Sequence, residues 1–319
     1  MRRLILQRLG MSIITLVAVS VIVFGAVSLL PGDVAEEILG QNATPETVAE
    51  LRRQLGLDRP VWTRYFVWIG NMVTGDFGRS LASDVPVREL IANRLRNTLF
   101  LSVYAALFAI PLSIALGLVA ALYRGRFADR AINMISLGTI SLPEFLIAYA
   151  LIFLVSVSWG LLPSIAKVNA DMTLAERLYR TTLPALVLTL GVAAHIIRMT
   201  RSAIVNVLAA PYIEMARLKG LRPREIIVRH ALPNAMAPIL NVVALTLAYL
   251  VVGVVIVEQV FAYPGLGQLM VDAVAKRDLP VVQAASLIFA TTYVLLNMTA
   301  DVLAIAANPR LRHAREVAS

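Results

Sequence analysis

The chain has 319 residues, of which 59% are hydrophobic and only 15% are charged, with a formal net charge of +9. Soluble domains average about 45–50% apolar and about 25% charged residues, so this composition excludes an ordinary soluble enzyme and indicates a protein embedded in a lipid bilayer. The absence of cysteine excludes disulfides, thiolate metal sites and cysteine nucleophiles.

Six apolar segments are long enough, or nearly so, to cross a membrane, because a bilayer core of about 30 Å needs about 20 helical residues. They are residues 9–30, 99–122, 131–162, 181–197, 231–257 and 279–307. The third segment carries Pro143 and Glu144 near its middle and predicts one kinked span. The sequence therefore predicts an all-α integral membrane protein with six transmembrane helices.

The distribution of basic residues predicts the orientation of these helices. With the N-terminus inside, the inner segments 1–8, 123–130, 198–234 and 308–319 hold 16 Lys and Arg and four acidic residues. The longer outer segments hold 13 basic and 14 acidic residues. Because basic residues favour the cytoplasmic side, both termini are expected to be cytoplasmic.

The chain divides by composition into three parts. Residues 1–98 are expected to form one transmembrane helix and an outer, periplasmic amphipathic segment, in which Thr44 can begin a short helix that Gly56 ends. The aromatic run Trp62–Trp68 suits a helix at the headgroup level or a lid packed on the bundle. Residues 99–307 are expected to form a five-helix core, and residues 308–319 a cytoplasmic tail.

The inner segment 198–234 is the most informative part outside the membrane. Pro211 stands where a short helical run can begin, and Gly220 where that run can end. Pro223 suits the first turn of a second run, so we expect helix–turn–helix between two spans.

Tyr212, Met215 and Ala216 recur at helical spacing in the first run and predict a narrow apolar face. Seven basic residues lie in the segment. A short rigid element with an apolar stripe and a charged rim suits docking into a groove of another protein. The alternative is an amphipathic loop that rests on anionic lipid.

The same segment has a family pattern: Glu-Ala-Ala, three residues, Gly, nine residues, Ile, any residue, Leu-Pro. The chain has Glu214-Met215-Ala216, Gly220, His230 and Leu232-Pro233 at this spacing, with Met215 in place of the first of the two alanines and His230 in place of the isoleucine. The segment resembles the coupling loop of ATP-binding-cassette (ABC) importer permeases. Further stretches resemble the dipeptide, oligopeptide and nickel branch: PGD at 31–33, LGLDRP at 55–60, GDFGRS at 75–80, VFAYPGLGQLMVDAV at 260–274, RDLPVVQ at 277–283 and NPRLRH at 308–313.

The resemblance implies a type I ABC importer permease in a bacterial inner membrane. It implies that this chain forms half of a pathway for dipeptides or oligopeptides, beside a second homologous permease. Two ATPase subunits would bind ATP and Mg and a periplasmic or extracellular binding protein would deliver solute, while this chain binds no cofactor and no nucleic acid. By position in the motif, ATPase coupling is expected of Tyr212, Glu214, Met215, Ala216, Arg217, Lys219, Gly220 and Arg222.

Placing a polar or ionisable side chain within a membrane span costs free energy, so such residues usually face the bundle interior. Glu144 lies about 21 Å along the helix from the inner end of the third span, and we expect it to line the pathway and sense a cationic group. The alternative is a buried carboxylate paired with His195 or Arg198, or a protonated one near water. Further pathway candidates are His195, which suits a structural hydrogen bond, and Asn241 and Asn297, which suit hydrogen bonds between helices.

Asp301, toward the inner end of the sixth span, is expected to form a structural latch with Arg198 or Arg201. A transition-metal site is not expected, because the chain has three histidines and no cysteine.

No complete catalytic motif is present in the sequence: Ser164-Ile-Ala-Lys167 matches S-x-x-K, but no K-T-G accompanies it. The three lysines, Lys167, Lys219 and Lys276, neither follow Gly nor precede Ser or Thr, so a phosphate-binding G-K-[ST] is absent. H-E-x-x-H and G-x-S-x-G are also absent. A non-catalytic subunit is therefore expected. A proton-coupled secondary transporter is the alternative from another class, and glutathione, opines, nickel complexes or oligosaccharides are alternative solutes to short peptides.

Overall fold

The computed structural model describes residues 2–29, 36, 39, 43–54, 56–169 and 171–307. The PGD at 31–33 and the tail at 308–319 lie outside the described residues. Within the described part, regular structure is helical apart from one isolated bridge between Arg79 and Pro86. In chain order the helices are α1 (Arg2–Ser28), α2 (Pro45–Gln54), α3 (Val61–Thr74), α4 (Val87–Leu122), α5 (Phe127–Ser141), α6 (Glu144–Leu151), α7 (Leu174–Leu208), α8 (Pro211–Leu218), α9 (Pro223–Glu225), α10 (Leu232–Val260), α11 (Leu266–Ala275) and α12 (Leu279–Ala307).

Five helices in the described residues are long and apolar enough to cross a membrane: α1, α4, α7, the continuous α9–α10 and α12. A sixth span exists only if α5 and α6, with the π-helical segment Ile152–Ser158 that extends α6, count as one. The chain bends by 108° between these two arms, which is a sharper bend than the kink expected from the sequence.

The bend between α5 and α6 has a local cause at Pro143. The proline ring disfavours helical conformation in the residue before it, and Leu142 is accordingly extended, with φ −95° and ψ 135°. Pro143 itself has φ −58° and ψ 140°. The helix therefore ends at Ser141 and restarts at Glu144.

Two helices extend well beyond the apolar segments that predict them. Helix α4 begins at Val87, and so it crosses the border at residues 98–99 that composition indicated. Helix α7 begins after Thr173, whose side chain accepts a hydrogen bond from the backbone N–H of Glu176 at 3.3 Å. Its 35 residues span about 52 Å, so its ends protrude from a bilayer core of about 30 Å.

Helix α7 lies at the centre of the bundle, where it packs against α4, α5 and α10, while α1 packs on α12. The expected Thr44 cap is present, since its hydroxyl accepts from the N–H of Thr47 at 3.3 Å. Helix α3 packs one side on α1, where Tyr65 meets Phe24 with ring centroids 5.5 Å apart. Its other side, with Trp62 74% exposed, is uncovered and suits the lipid interface.

Candidate functional site

The inner segment between α7 and α10 forms the expected helix–turn–helix. Helix α7 ends at Leu208, and α8 begins at Pro211 after two residues. The second run, α9, continues through a π-helical segment, Ile226–Ala231, directly into α10. The wider π turn lies just ahead of Pro233, where an ordinary helix would place a carbonyl against the proline ring. The second run is therefore the inner end of a transmembrane helix and not a separate element.

Gly220 ends α8 in a Schellman motif, as its position in the sequence predicted. The N–H of Leu221 donates to the carbonyl of Ala216 at 3.3 Å, and the N–H of Gly220 donates to that of Arg217 at 2.9 Å. Gly220 has φ +78°, a left-handed conformation that costs other residues about 1–2 kcal/mol. No atom lies within 4 Å of where a Cβ would stand, so only the backbone conformation requires glycine here.

The exposed apolar face of α8 differs from the predicted one, because Ala216 lies on the opposite, buried face. Ala216 is buried against Ile213 and Ile226 in a small core that holds the two runs together. Its small side chain therefore allows close packing of α8 on the second run, and it does not belong to the exposed face. The exposed apolar stripe consists of Tyr212, Met215 and Leu218, which are 47%, 56% and 76% exposed.

A charged rim surrounds this exposed stripe. Glu214, Arg217, Lys219 and Arg222 are exposed, and among the described residues none of their side chains forms an ion pair. The ion pair within the segment joins Arg229 to Glu225 at 2.7 Å. We call residues 211–222 the coupling segment. It is a short helix and turn with three exposed apolar side chains, surrounded by charged side chains that form no ion pair with a described residue.

Comparison with known proteins identifies the family. The model described as "Binding-protein-dependent transport system inner membrane component" matches residues 113–313, and the corresponding N-terminal model matches residues 1–102. The chain belongs to this family. It is a type I ABC importer permease subunit of the dipeptide, oligopeptide and nickel type, and it resides in the inner membrane.

Individual relatives agree with this assignment over nearly the whole chain. The glutathione transport system permease protein GsiC of Escherichia coli (strain K12) is 39% identical over 97% of this chain and 98% of its own length. GsiC of Salmonella choleraesuis (strain SC-B67) has the same identity and coverage. An inward-facing structure of the MetNI methionine ABC transporter matches 70% of this chain and 98% of its own with a TM-score of 0.55 and 21% identity, which supports the fold. Binding-protein-dependent import by this family requires ATPase subunits and a substrate-binding protein.

The candidate pathway residues on the spans fall into two groups. The carboxylate of Glu144 lies against Gly191 on α7, with Oε1 3.5 Å from where a Cβ of that glycine would stand. His195 and Arg198, also on α7, line an inner cleft of about 420 Å³. The expected hydrogen bonds of Asn241 and Asn297 between helices are not found among the described residues: Asn241 is exposed, and Oδ1 of Asn297 is buried without a partner.

The structure gives Arg201 a different partner from the one expected. Its guanidinium donates from Nε and NH2 to the two carboxylate oxygens of Asp129, at 2.6 and 2.8 Å. Asp129 precedes the predicted span, and packing of α5 on α7 brings it to Arg201. The expected latch of Asp301 with Arg198 or Arg201 stays a prediction. The side chain of Asp301 lies outside the described residues, and Arg198 forms no ion pair with a described residue.

One buried, hydrogen-bonded acidic residue was not predicted from the sequence. Glu258, near the outer end of α10, is 0% exposed. Its carboxylate accepts from the hydroxyl of Thr98 at 2.5 Å and from the N–H of Gln268 at 3.0 Å. The Thr98 hydroxyl in turn accepts from the N–H of Leu266 at 2.8 Å. Glu258 and Thr98 together satisfy the first turn of α11 from two other helices.

The loop that follows Glu258 completes this outer cluster. Tyr263 is buried and its hydroxyl donates to the carbonyl of Asn97 at 2.7 Å, while the Asn97 amide donates to the carbonyl of Pro264 at 2.8 Å. Burial raises the pKa of Tyr263 to about 12, so its phenol keeps the proton that it donates. The sequence feature that could have predicted this cluster is the YPGLG stretch that begins at Tyr263, with Glu258 five residues before it.

Proposed function

We propose that this permease subunit forms half of the translocation pathway of an importer for short peptides, glutathione included, beside a second homologous permease. The 39% identity over 97% of the chain to a protein named as a glutathione transport permease carries this proposal. Glutathione is itself a peptide with free amino and carboxylate groups, so it belongs to the solute class expected from the branch motifs. This chain is the non-catalytic subunit, and ATP and Mg bind in the partner ATPases.

The geometry of the coupling segment supports a docking role toward the ATPase. An uncovered stripe of Tyr212, Met215 and Leu218, with free charges around it, has the composition of a helix that inserts into an apolar groove. The connections on both sides are short or continuous helix. Movement of an ATPase subunit would therefore pass to α7 and α10 as rigid-body displacement.

The absence of native cysteine allows a clean test of docking. Met215→Cys and Leu218→Cys should each cross-link to the ATPase subunit in native vesicles, and ATP should change the yield because closure moves the subunits. Val73→Cys, on α3 and 81% exposed, is the matched control and should give no such product. Recovery of lipid adducts alone from both inner positions would contradict docking.

The solute is tested on the complete transporter with its binding protein. Mass spectrometry of ligand that co-purifies with the binding protein should find short peptides or glutathione. In proteoliposomes, both should compete for ATP-driven uptake of a labelled dipeptide. Uptake of an opine, a nickel complex or an oligosaccharide with no competition from peptides would refute the proposed solute class and leave the permease assignment intact.

A further inference from the structure

One face of α7 carries an acidic site and a basic site in adjacent turns. Glu144 reaches this face from α6 and lies against Gly191. His195 and Arg198 follow Gly191 by four and seven residues, and such spacings lie on the same side of a helix. The order from the middle of the bundle toward the predicted inner end is therefore carboxylate, imidazole, guanidinium.

These groups have no described partner, although their neighbours do. In the inner cleft, Arg201 is paired with Asp129, and the amide nitrogen of Asn133 donates to the same carboxylate at 2.7 Å. His195 and Arg198 are the basic groups of this cleft that bond to no described residue, and both are exposed. Glu144 is half-buried, and no described cation lies within ion-pair distance of it. A half-buried carboxylate within a span is costly unless a ligand or water binds it, and the exposed His195 and Arg198 are accessible to a ligand.

The spacing of the two sites matches a specific chemical class. Seven residues of helix separate Gly191 from Arg198 by about 10 Å along the axis. An extended peptide covers about 3.3–3.6 Å per residue, so the charged termini of a peptide of two or three residues stand about 7–10 Å apart. Glutathione, a γ-linked tripeptide, carries its amino group and one carboxylate at the glutamyl end and a second carboxylate at the glycine end.

We propose that Glu144 binds the amino group and that Arg198, with His195, binds the carboxylate of a zwitterionic peptide as it leaves toward the cytoplasm. This inference rests on the proposed function, because it concerns the solute of the same pathway. Each contact replaces water around a partly exposed charge, so each contributes modestly and the peptide is not trapped. Arg198 thereby has a ligand-binding role in this proposal.

The test uses the complete transporter in proteoliposomes and three forms of one dipeptide: free, N-acetylated and C-amidated. Uptake by each variant is divided by uptake by the parent with the same binding protein, so selection by the binding protein cancels. Glu144→Gln should reduce the ratio about fivefold for the free and amidated peptides and leave the acetylated peptide unchanged. Arg198→Gln should reduce it about fivefold for the free and acetylated peptides and leave the amidated peptide unchanged.

Matched controls lie outside this face. Arg130→Gln, exposed on α5, and Glu176→Gln, exposed in the first turn of α7, should affect the three peptides equally. Arg198→Lys should restore most of the uptake of the free peptide. A loss equal for all three peptides in the Glu144 and Arg198 variants would overturn the inference as a purely structural effect.

A phospholipid phosphate offers Arg198 the same chemistry as a carboxylate, so the series is repeated in vesicles with and without anionic lipid. Loss in Arg198→Gln that follows lipid charge and not the peptide carboxylate would assign the residue to lipid and overturn the inference. If the parent transporter imports no peptide at all, the proposed function itself fails. Peptide import by the parent with no selectivity change in either variant refutes only the two-site inference.

Discussion

Gly265→Ala is expected to break the outer cluster around Glu258. Gly265 has an ordinary extended backbone, with φ −101° and ψ −179°, so alanine meets no conformational obstacle. The obstacle is space: a Cβ would stand 1.9 Å from Oε1 of Glu258 and 2.0 Å from its Cδ. Both distances are far below a van der Waals contact, so the buried carboxylate has to leave its position.

The cost follows from the hydrogen bonds that the carboxylate would lose. Thr98 and the N–H of Gln268 donate to it, and each buried donor left without its acceptor costs about 1–3 kcal/mol. Partial relaxation of the loop reduces the total, so we expect the variant to lose about 3–5 kcal/mol. At about 2–4 °C per kcal/mol for a unit of this size, the unfolding midpoint should fall by about 10 °C.

Thermal unfolding of the purified transporter in detergent, followed by fluorescence, measures this loss. Gly138→Ala is the control, because its Cβ would meet no atom within 4 Å and alanine favours helix, so its midpoint should stay or rise slightly. Glu258→Ala should destabilise to a similar extent, and the double variant should add little because both changes remove the same hydrogen bonds. A midpoint for Gly265→Ala equal to that of Gly138→Ala, or full additivity in the double variant, would refute the reasoning.

Three further predictions concern the inner side. Gly220→Ala strains the left-handed residue by about 1–2 kcal/mol and should lower solute uptake per ATP hydrolysed while membrane insertion, measured by immunoblot, is unchanged; an unchanged ratio would show that the Schellman turn is dispensable. Arg201→Leu should lower the thermal midpoint more than Asp129→Asn does. Loss of the arginine leaves the Asp129 carboxylate, only 5% exposed, without its cation, whereas Arg201 is 28% exposed and can reach water when the carboxylate is lost. The reverse order in the same fluorescence assay would contradict this account. Glu214→Arg should reverse one charge of the docking rim and weaken co-purification of the ATPase subunit at moderate salt, and normal recovery and uptake would remove Glu214 from the interface.

The sequence by itself determined the class of protein, the positions of its spans and the place of the coupling segment. These are properties of local chain: the length of an apolar run predicts a membrane helix, and Pro211 and Gly220 predict the bounds of a short helix. The bend at Pro143 was also predictable, although its size of 108° was not, because a proline in an apolar run locates a break without fixing the backbone angles on either side of it.

Only the tertiary structure decided which side chains meet. Ala216 belongs to the same helical pattern as Met215, yet packing of the second run on α8 buries the alanine and leaves the methionine exposed. Arg201 bonds to Asp129, which is 72 residues away in the chain, and Thr98 bonds to Glu258, which is 160 residues away. Such pairings depend on how helices distant in the chain pack against each other, and residue spacing within one helix carries no information about that packing.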